Sequence, residues 1–346
     1  MTLRDAVHAT VLTLALGWLL VVGKTVILPV VVAIMLTYVL VGAVQGVLAL
    51  PLGRRLPAWL AYVAVLTVFA LGLTGISLMI VANLRDIARS ELAVQDGLLA
   101  LIERFAPWFG YGPSTDPDVL RGALLERLDL PGLSLDLLST LASASGYTVL
   151  IATYMVFMVA ERAPLGRKID LVLPDTGNRG AAVAIFQRIN RQIVTYLSTK
   201  TLINVIVALI SWVLMKIMGI ENAAFWAFLI GLFNYIPYVG SMMGVGVVLV
   251  FVILTTGSLR LTVVSLLLLT AAQVYVGNWL EPRVMSRSMN LSPLTVLLAL
   301  VLWGSLWGLP GAIIAVPMTS ILLIALAQFR TTRAVAVLAS RNGTLY

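Results

Sequence analysis

The chain has 346 residues, of which 60% are hydrophobic and 11% charged, with a formal charge of +8. A soluble domain is about half apolar and a quarter charged, so this composition excludes a soluble globular protein and describes a polytopic membrane protein. Cysteine is absent and His8 is the single histidine, which excludes disulfide frameworks and zinc sites built on Cys or His. The basic residues fall in short loops and tails between apolar runs, not along a stripe, so nucleic acid is not an expected partner. No cofactor and no enzymatic site is expected.

A hydrocarbon core about 30 Å thick takes roughly 20 apolar residues as helix. Residues 1–82 hold three such spans, at 7–22, 25–50 and 57–82, with Gly23-Lys24 marking the first turn. No A-x-A site follows the first run and a second run starts at once, so a retained helix is expected there, not a cleaved signal. "GWLLVVGKT" (Gly17–Thr25) has five residues between its glycines and no preceding strand, so it is not a phosphate loop and gives no ATP-binding motif.

The character changes at 83–145, where helix-period apolar residues mix with charge and then with "APWFGYGPSTDP". This predicts an amphipathic extracytoplasmic helical subdomain. A fourth span follows at 146–160, then a polar cytoplasmic segment at 161–200 with an amphipathic helix over 179–197. Residues 201–328 form the expected transport core, with spans at 201–218 and 261–280, and 329–346 a cytoplasmic tail. Charge orients these segments: 83–145 has five arginines against nine acids and lies outside, whereas 161–200 has seven basic residues against three acids and lies inside.

Two stretches of the core are too long for one span. Residues 223–256 and 293–328 would each make a straight helix of roughly 50 Å. The first is interrupted by Asn234, Tyr235, Pro237, Tyr238 and Gly240, the second by Gly308, Pro310 and Gly311, with Pro317 following. Glycine permits sharp turns and proline removes a backbone donor. Two re-entrant hairpins are therefore expected, and they keep Arg283 and Arg287 inside; two full spans for each stretch would put those arginines outside. The fold class is thus all-α, with about six transmembrane helices plus two broken re-entrant hairpins, or eight spans. Each hairpin follows a helix, giving an inverted helix-hairpin repeat whose broken tips mark a substrate path.

The groups that bear chemistry are few. At the first tip Asn234, Tyr235 and Tyr238 read either as solute contacts or as a helix cap. Gln273, Gly277, Asn278 and Glu281 fall on one face of the 261–280 helix, with Pro282 next. Glu281 lies where the helix dipole disfavours an anion, so it needs a cationic partner, Arg283 or Arg287, or acts as a coupling carboxylate. Gly240 with Gly244 and Gly42 with Gly46 read as close-packing pairs. Asn204 reads as helix packing and Lys216 as a snorkelling cation.

Three motifs, "NYIPYVG" (Asn234–Gly240), "GNWLEPRVMSRSMNLSP" (Gly277–Pro293) and "WGSLWGLPGAIIAVP" (Trp303–Pro317), resemble in their order and spacing the autoinducer-2 exporter family of bacterial membrane proteins. Weaker agreement extends over most of the chain. The resemblance implies a homo-oligomeric inner-membrane permease, expected as a pentamer, that exports autoinducer-2, a small furanone-type polyol. Some similar proteins act as sodium(lithium)/proton antiporters, so monovalent cations and protons are the alternative substrates. A neutral polyol calls for amide and phenol hydrogen bonds, which the first tip offers. A membrane scaffold or receptor using the outer subdomain is the third reading, and broken backbone in the bilayer argues against it.

Overall fold

The computed structural model describes residues 3–51, 53–89, 147–161, 179–284, 290–329 and 331–343. These residues are helical throughout, apart from short connections. In chain order the helices are α1 (Leu3–Val22), α2 (Lys24–Ala49), α3 (Ala58–Arg89), α4 (Tyr147–Glu161), α5 (Arg179–Ile217), α6 (Ala223–Phe233), α7 (Val239–Thr256), α8 (Leu259–Tyr275), α9 (Pro293–Ala327) and α10 (Arg333–Ala339). A π turn over Val276–Leu280 carries α8 onward to Val284.

Six of the helices are long and apolar enough to cross a membrane, but they are not the six the sequence singles out. They are α2, α3, α5, α7, α8 and α9, while α1 and α4 supply only the shorter apolar stretches Thr10–Val22 and Tyr147–Glu161. The chain is an all-α polytopic membrane protein. The amphipathic reading of 83–145 falls, beyond residue 89, outside the described residues.

Two expected boundaries dissolve into continuous helix. α3 runs through residue 82 to Arg89. α5 runs through residue 200, so the amphipathic segment and the fifth span are one rod. No Gly or Pro occurs between Ala181 and Met218, so nothing in that sequence stops the helix. Gly23 is a joint and not a reversing turn. Its N–H bonds to Leu19 O at 2.8 Å and its carbonyl accepts from Ile27 N–H at 2.8 Å, so helical bonding persists across it. A reversal between packed antiparallel helices takes a loop of about 2–5 residues.

The chain divides into two compact units. The first comprises Met1–Phe69, Tyr147–Thr201 and Met285–Tyr346; the second comprises Ala70–Gly146 and Leu202–Val284. In the first, Met35 and Val39 of α2, Ile193, Tyr196 and Leu197 of α5, and Trp303, Trp307, Ala315 and Leu323 of α9 share one buried cluster. A second cluster joins Ala33, Leu40 and Val44 of α2 to Ala61 of α3 and Met155 of α4. The C-terminal segment is docked, not loose. Ala339 O accepts from Ser292 N–H at 3.0 Å and Thr295 Oγ1 at 2.9 Å, and Arg341 N–H reaches Asn290 O at 3.2 Å.

In the second unit, connections follow their caps. Gly257 ends α7 at φ 59°, and Ser258 starts α8 by accepting from Leu261 N–H at 3.2 Å. α8, which follows the first hairpin in the chain and precedes the second, belongs to the unit of the first. In both units the hydroxyls of Thr37, Thr74, Ser77, Thr153, Thr201, Thr255, Thr256 and Thr262 donate to the carbonyl four residues back in their own helix.

Candidate functional site in the two broken helical hairpins

α6 and α7 fold back on each other, and their sequence sets the reversal. Asn234 N–H still reaches Ile230 O at 3.0 Å, but Tyr235 and Ile236 donate only three residues back, to Leu232 O and Phe233 O. Such bonds tighten the last turn, and Pro237 has no N–H with which to continue it. Tyr238 completes the turn at φ 63° and ψ −48°, with Val239 N–H on Pro237 O at 2.7 Å. This is a γ-turn of positive φ, a strained state for any residue with a side chain. Tyr238→Gly is therefore expected to raise stability by about 1 kcal/mol, read as a higher thermal midpoint in detergent.

Two glycines close the hairpin. A Cβ at Gly240 would overlap the Phe233 carbonyl oxygen, and one at Gly244 would lie 3.1 Å from Ile230 Cα. Further from the tip, the Trp226 and Phe251 rings pack at a tilt with centroids 4.5 Å apart. α6 is 11 residues long, about 16 Å, too short to cross a hydrocarbon core of about 30 Å.

α6 also lies against α5 along a polar seam. Gly231 admits the close approach: a Cβ there would be 3.0 Å from Asn204 O and 3.1 Å from Ala208 Cβ. Asn234 Nδ2 donates to Asn204 Oδ1 at 2.8 Å, and Asn204 is 3% exposed. Asn204, Ala208 and Ser211 fall at i, i+4 and i+7, one face of α5. Asn204 Nδ2, Ser211 Oγ and, on α6, Trp226 Nε1 are buried without a hydrogen-bond partner among the described residues. An unmade bond to such a group costs about 1–3 kcal/mol, so each has a standing demand for an acceptor. Asn204 thus packs against α6 and also bonds to it through its side chain. Its signal in the sequence was an amide inside the uncharged stretch 201–215, one turn before Ala208 and two before Ser211; Trp226 gave no separate signal.

The second hairpin is built alike. Across Gly308, at φ 68° and ψ −146°, α9 reverses within its nominal 35 residues. That backbone region is essentially reserved for glycine. The proof of reversal is the bond from Trp303 Nε1 to Thr319 Oγ1 at 3.0 Å, two residues that a straight helix would hold about 24 Å apart. A Cβ at Gly311 would overlap the Trp303 carbonyl oxygen, as Gly240 covers Phe233. Each tip therefore combines an aromatic residue's carbonyl, a positive φ, a proline and a closing glycine. Gly308 and Pro310 are exposed at the turn, while Pro317 is buried in the outgoing arm, away from it.

The polar face of α8 is only partly assembled. Gln273 and Glu281 are half-buried, Asn278 and Pro282 exposed. Gln273 Nε2 is buried without a partner among the described residues. Asn278 lies in the π turn, which Glu281 N–H closes on Val276 O. Arg283 lies over the Trp279 ring, Cζ 3.5 Å from its centroid, and Arg287 lies outside the described residues. The described contacts join Asn234 to Asn204. Of the packing pairs, Gly42 admits Ser198 and Val194 of α5, while Gly46 meets nothing within 4 Å.

Known proteins place this arrangement. Residues 9–331 match the family described as AI-2E family transporter. The putative transport protein YhhT of Escherichia coli K12 is 30% identical over 201 residues, 57% of this chain and 56% of that protein. The AI-2 transport protein TqsA of the same strain is 33% identical over 205 residues, 59% and 58%. A putative transport protein of Haemophilus influenzae Rd is 26% identical over 345 residues, 96% of each chain. The chain spans little more than half the length of the two E. coli relatives. With nearly all of its length matched, the chain belongs to the AI-2E transporter family.

Proposed function

We propose that this chain is a secondary transporter that exports a small uncharged, oxygen-rich solute, with autoinducer-2 as the first candidate, along the α5/α6 seam and the tip of the first hairpin. The observation that carries this reading is the buried Asn204–Asn234 pair, together with the unpartnered Asn204 Nδ2 and Ser211 Oγ on α5 and Trp226 Nε1 on α6. N–H donors suit hydroxyl, ether or carbonyl oxygens, and residues 201–215 of α5 carry no charge. Tyr235, Pro237, Tyr238 and Gly240 shape the tip, and Gly308, Pro310, Gly311 and Pro317 form its counterpart. Support for the solute comes from TqsA, named as an AI-2 transport protein. The chain works as a homo-oligomer in the bacterial inner membrane, pentameric by resemblance, with both termini cytoplasmic by the charge rule and without enzymatic chemistry. It serves quorum sensing through the signal it exports.

A second reading, sodium(lithium)/proton antiport, draws on one observation. Glu281 is half-buried and directly follows a π turn, a distortion common at functional sites. Liposomes holding the full chain separate the two. Autoinducer-2 flux and sodium-driven proton movement are measured side by side for the wild type and Glu281→Gln. The expected result is solute flux in both proteins and no sodium-driven proton movement in either. Proton movement that vanishes in Glu281→Gln, with no solute flux in the wild type, overturns the exporter reading in favour of the antiporter.

A further inference from the structure

One polar cavity in the first unit belongs to neither hairpin. α2 and α5 close on each other at Gly42, where an added Cβ would overlap Ser198 Oγ and lie 3.5 Å from Val194 Cγ1. Beside that contact lies an open-sided cavity of about 250 Å³ lined by Gln45, Gln187, Asn190, Arg191, Val194 and Thr195, with Gln45, Gln187, Arg191 and Thr195 exposed. Two amide side chains of glutamine, one of asparagine, a hydroxyl and a guanidinium face a space with no carboxylate among the described residues of its wall. Among the described residues, none of these five polar side chains is hydrogen-bonded or ion-paired to another.

Its level relative to the bilayer follows from the apolar segments. The apolar span of α2 ends at Ala49, four residues beyond Gln45, and that of α5 begins at Ile189, within the lining segment. The cavity therefore lies where hydrocarbon gives way to the headgroup layer. The Gly53–Arg55 turn adds Arg54 and Arg55 shortly after α2. A guanidinium presents five donors in a planar fork that matches phosphate oxygens, and basic pockets between helices at this level suit anionic headgroups.

We propose that this cavity binds a phosphate ester, with Arg191 as its principal ligand and Gln45, Gln187, Asn190 and Thr195 supplying neutral hydrogen bonds. The ester is carried by the headgroup of an anionic phospholipid or by a soluble phosphate, and one experiment tells the sources apart. The full-length chain, purified in detergent and delipidated, is titrated with phosphatidylglycerol, phosphatidylcholine, glycerol 3-phosphate and inorganic phosphate, with binding read by native mass spectrometry and thermal shift. Phosphatidylglycerol is expected to bind and to raise the thermal midpoint, and phosphatidylcholine to do so far less. Arg191→Ala is expected to weaken that binding about tenfold or more, as loss of a charged hydrogen-bond donor implies. Gln45→Leu, which fills the cavity with an apolar side chain, weakens it as well, while Arg260→Ala, a basic residue of α8, leaves it unchanged. Saturation by glycerol 3-phosphate at lower concentration than phosphatidylglycerol assigns the cavity to a soluble ester. Binding of every phosphate probe that is indifferent to both Arg191→Ala and Gln45→Leu overturns the proposal.

Discussion

Gly240→Ala and Gly311→Ala are each expected to cost about 3 kcal/mol or more and to leave little monodisperse protein, measured by yield on size exclusion and by thermal unfolding. The cause is backbone against backbone. In each hairpin the new Cβ would overlap a carbonyl oxygen, of Phe233 in one and Trp303 in the other, and a carbonyl has no rotamer by which to step aside. The two arms would have to separate, losing Gly244 against Ile230 in the first and the Trp303–Thr319 bond in the second. Gly72→Ala is the control. Nothing lies within 4 Å of a Cβ there, and alanine in a helix gains about 0.5–1 kcal/mol over glycine. If Gly240→Ala and Gly72→Ala give equal yield and midpoint, the close approach at the tip is not what holds the hairpin.

The Asn204–Asn234 pair gives the second large effect, and here stability and transport part company. Asn204→Leu leaves the Asn234 amide without its acceptor, at a cost of about 1–3 kcal/mol. Asn204→Leu/Asn234→Leu removes both polar partners and is expected to recover most of that loss, since an apolar pair of similar shape demands no hydrogen bonds. Solute flux in liposomes is expected to stay below a tenth of wild type in the double variant, because the seam has then lost its amides. A double variant that is stable and transports at the wild-type rate would show that the pair only holds the tip in shape.

Much of this architecture was legible in the chain. Length against bilayer thickness marked both over-long stretches, and Pro237, Gly240, Gly308 and Gly311 marked where each reverses. What the sequence could not carry was partnership. Asn204 and Asn234 are 30 residues apart in the chain, with a helix end, a connection and most of a helix between them, and no local pattern announces a pair across that gap. Glycine's role was visible only as permission to turn; that Gly240 and Gly311 each cover an aromatic residue's carbonyl is a fact of three-dimensional closure. Boundaries failed for a different reason. Charge changes sign of environment at residues 82 and 200, but helix formation responds to Gly, Pro and caps, and none interrupts α3 or α5 there.

The hydroxyls that donate to their own helix have a bearing on how this chain looks to a passing molecule. Thr37, Thr153, Thr201, Thr255 and Thr262 are polar by name, yet each has its only proton engaged by the carbonyl one turn back. What remains of each side chain is a methyl group and an oxygen whose proton is already taken. They are camouflaged as aliphatic residues, and valine in their place is a near copy. Ser198 and Ser211, buried with no such bond, keep a proton to offer. A tally of polar residues along these helices therefore overstates how many can greet a solute, and the chain is closer to bare hydrocarbon, with a few sharply placed exceptions, than its letters suggest.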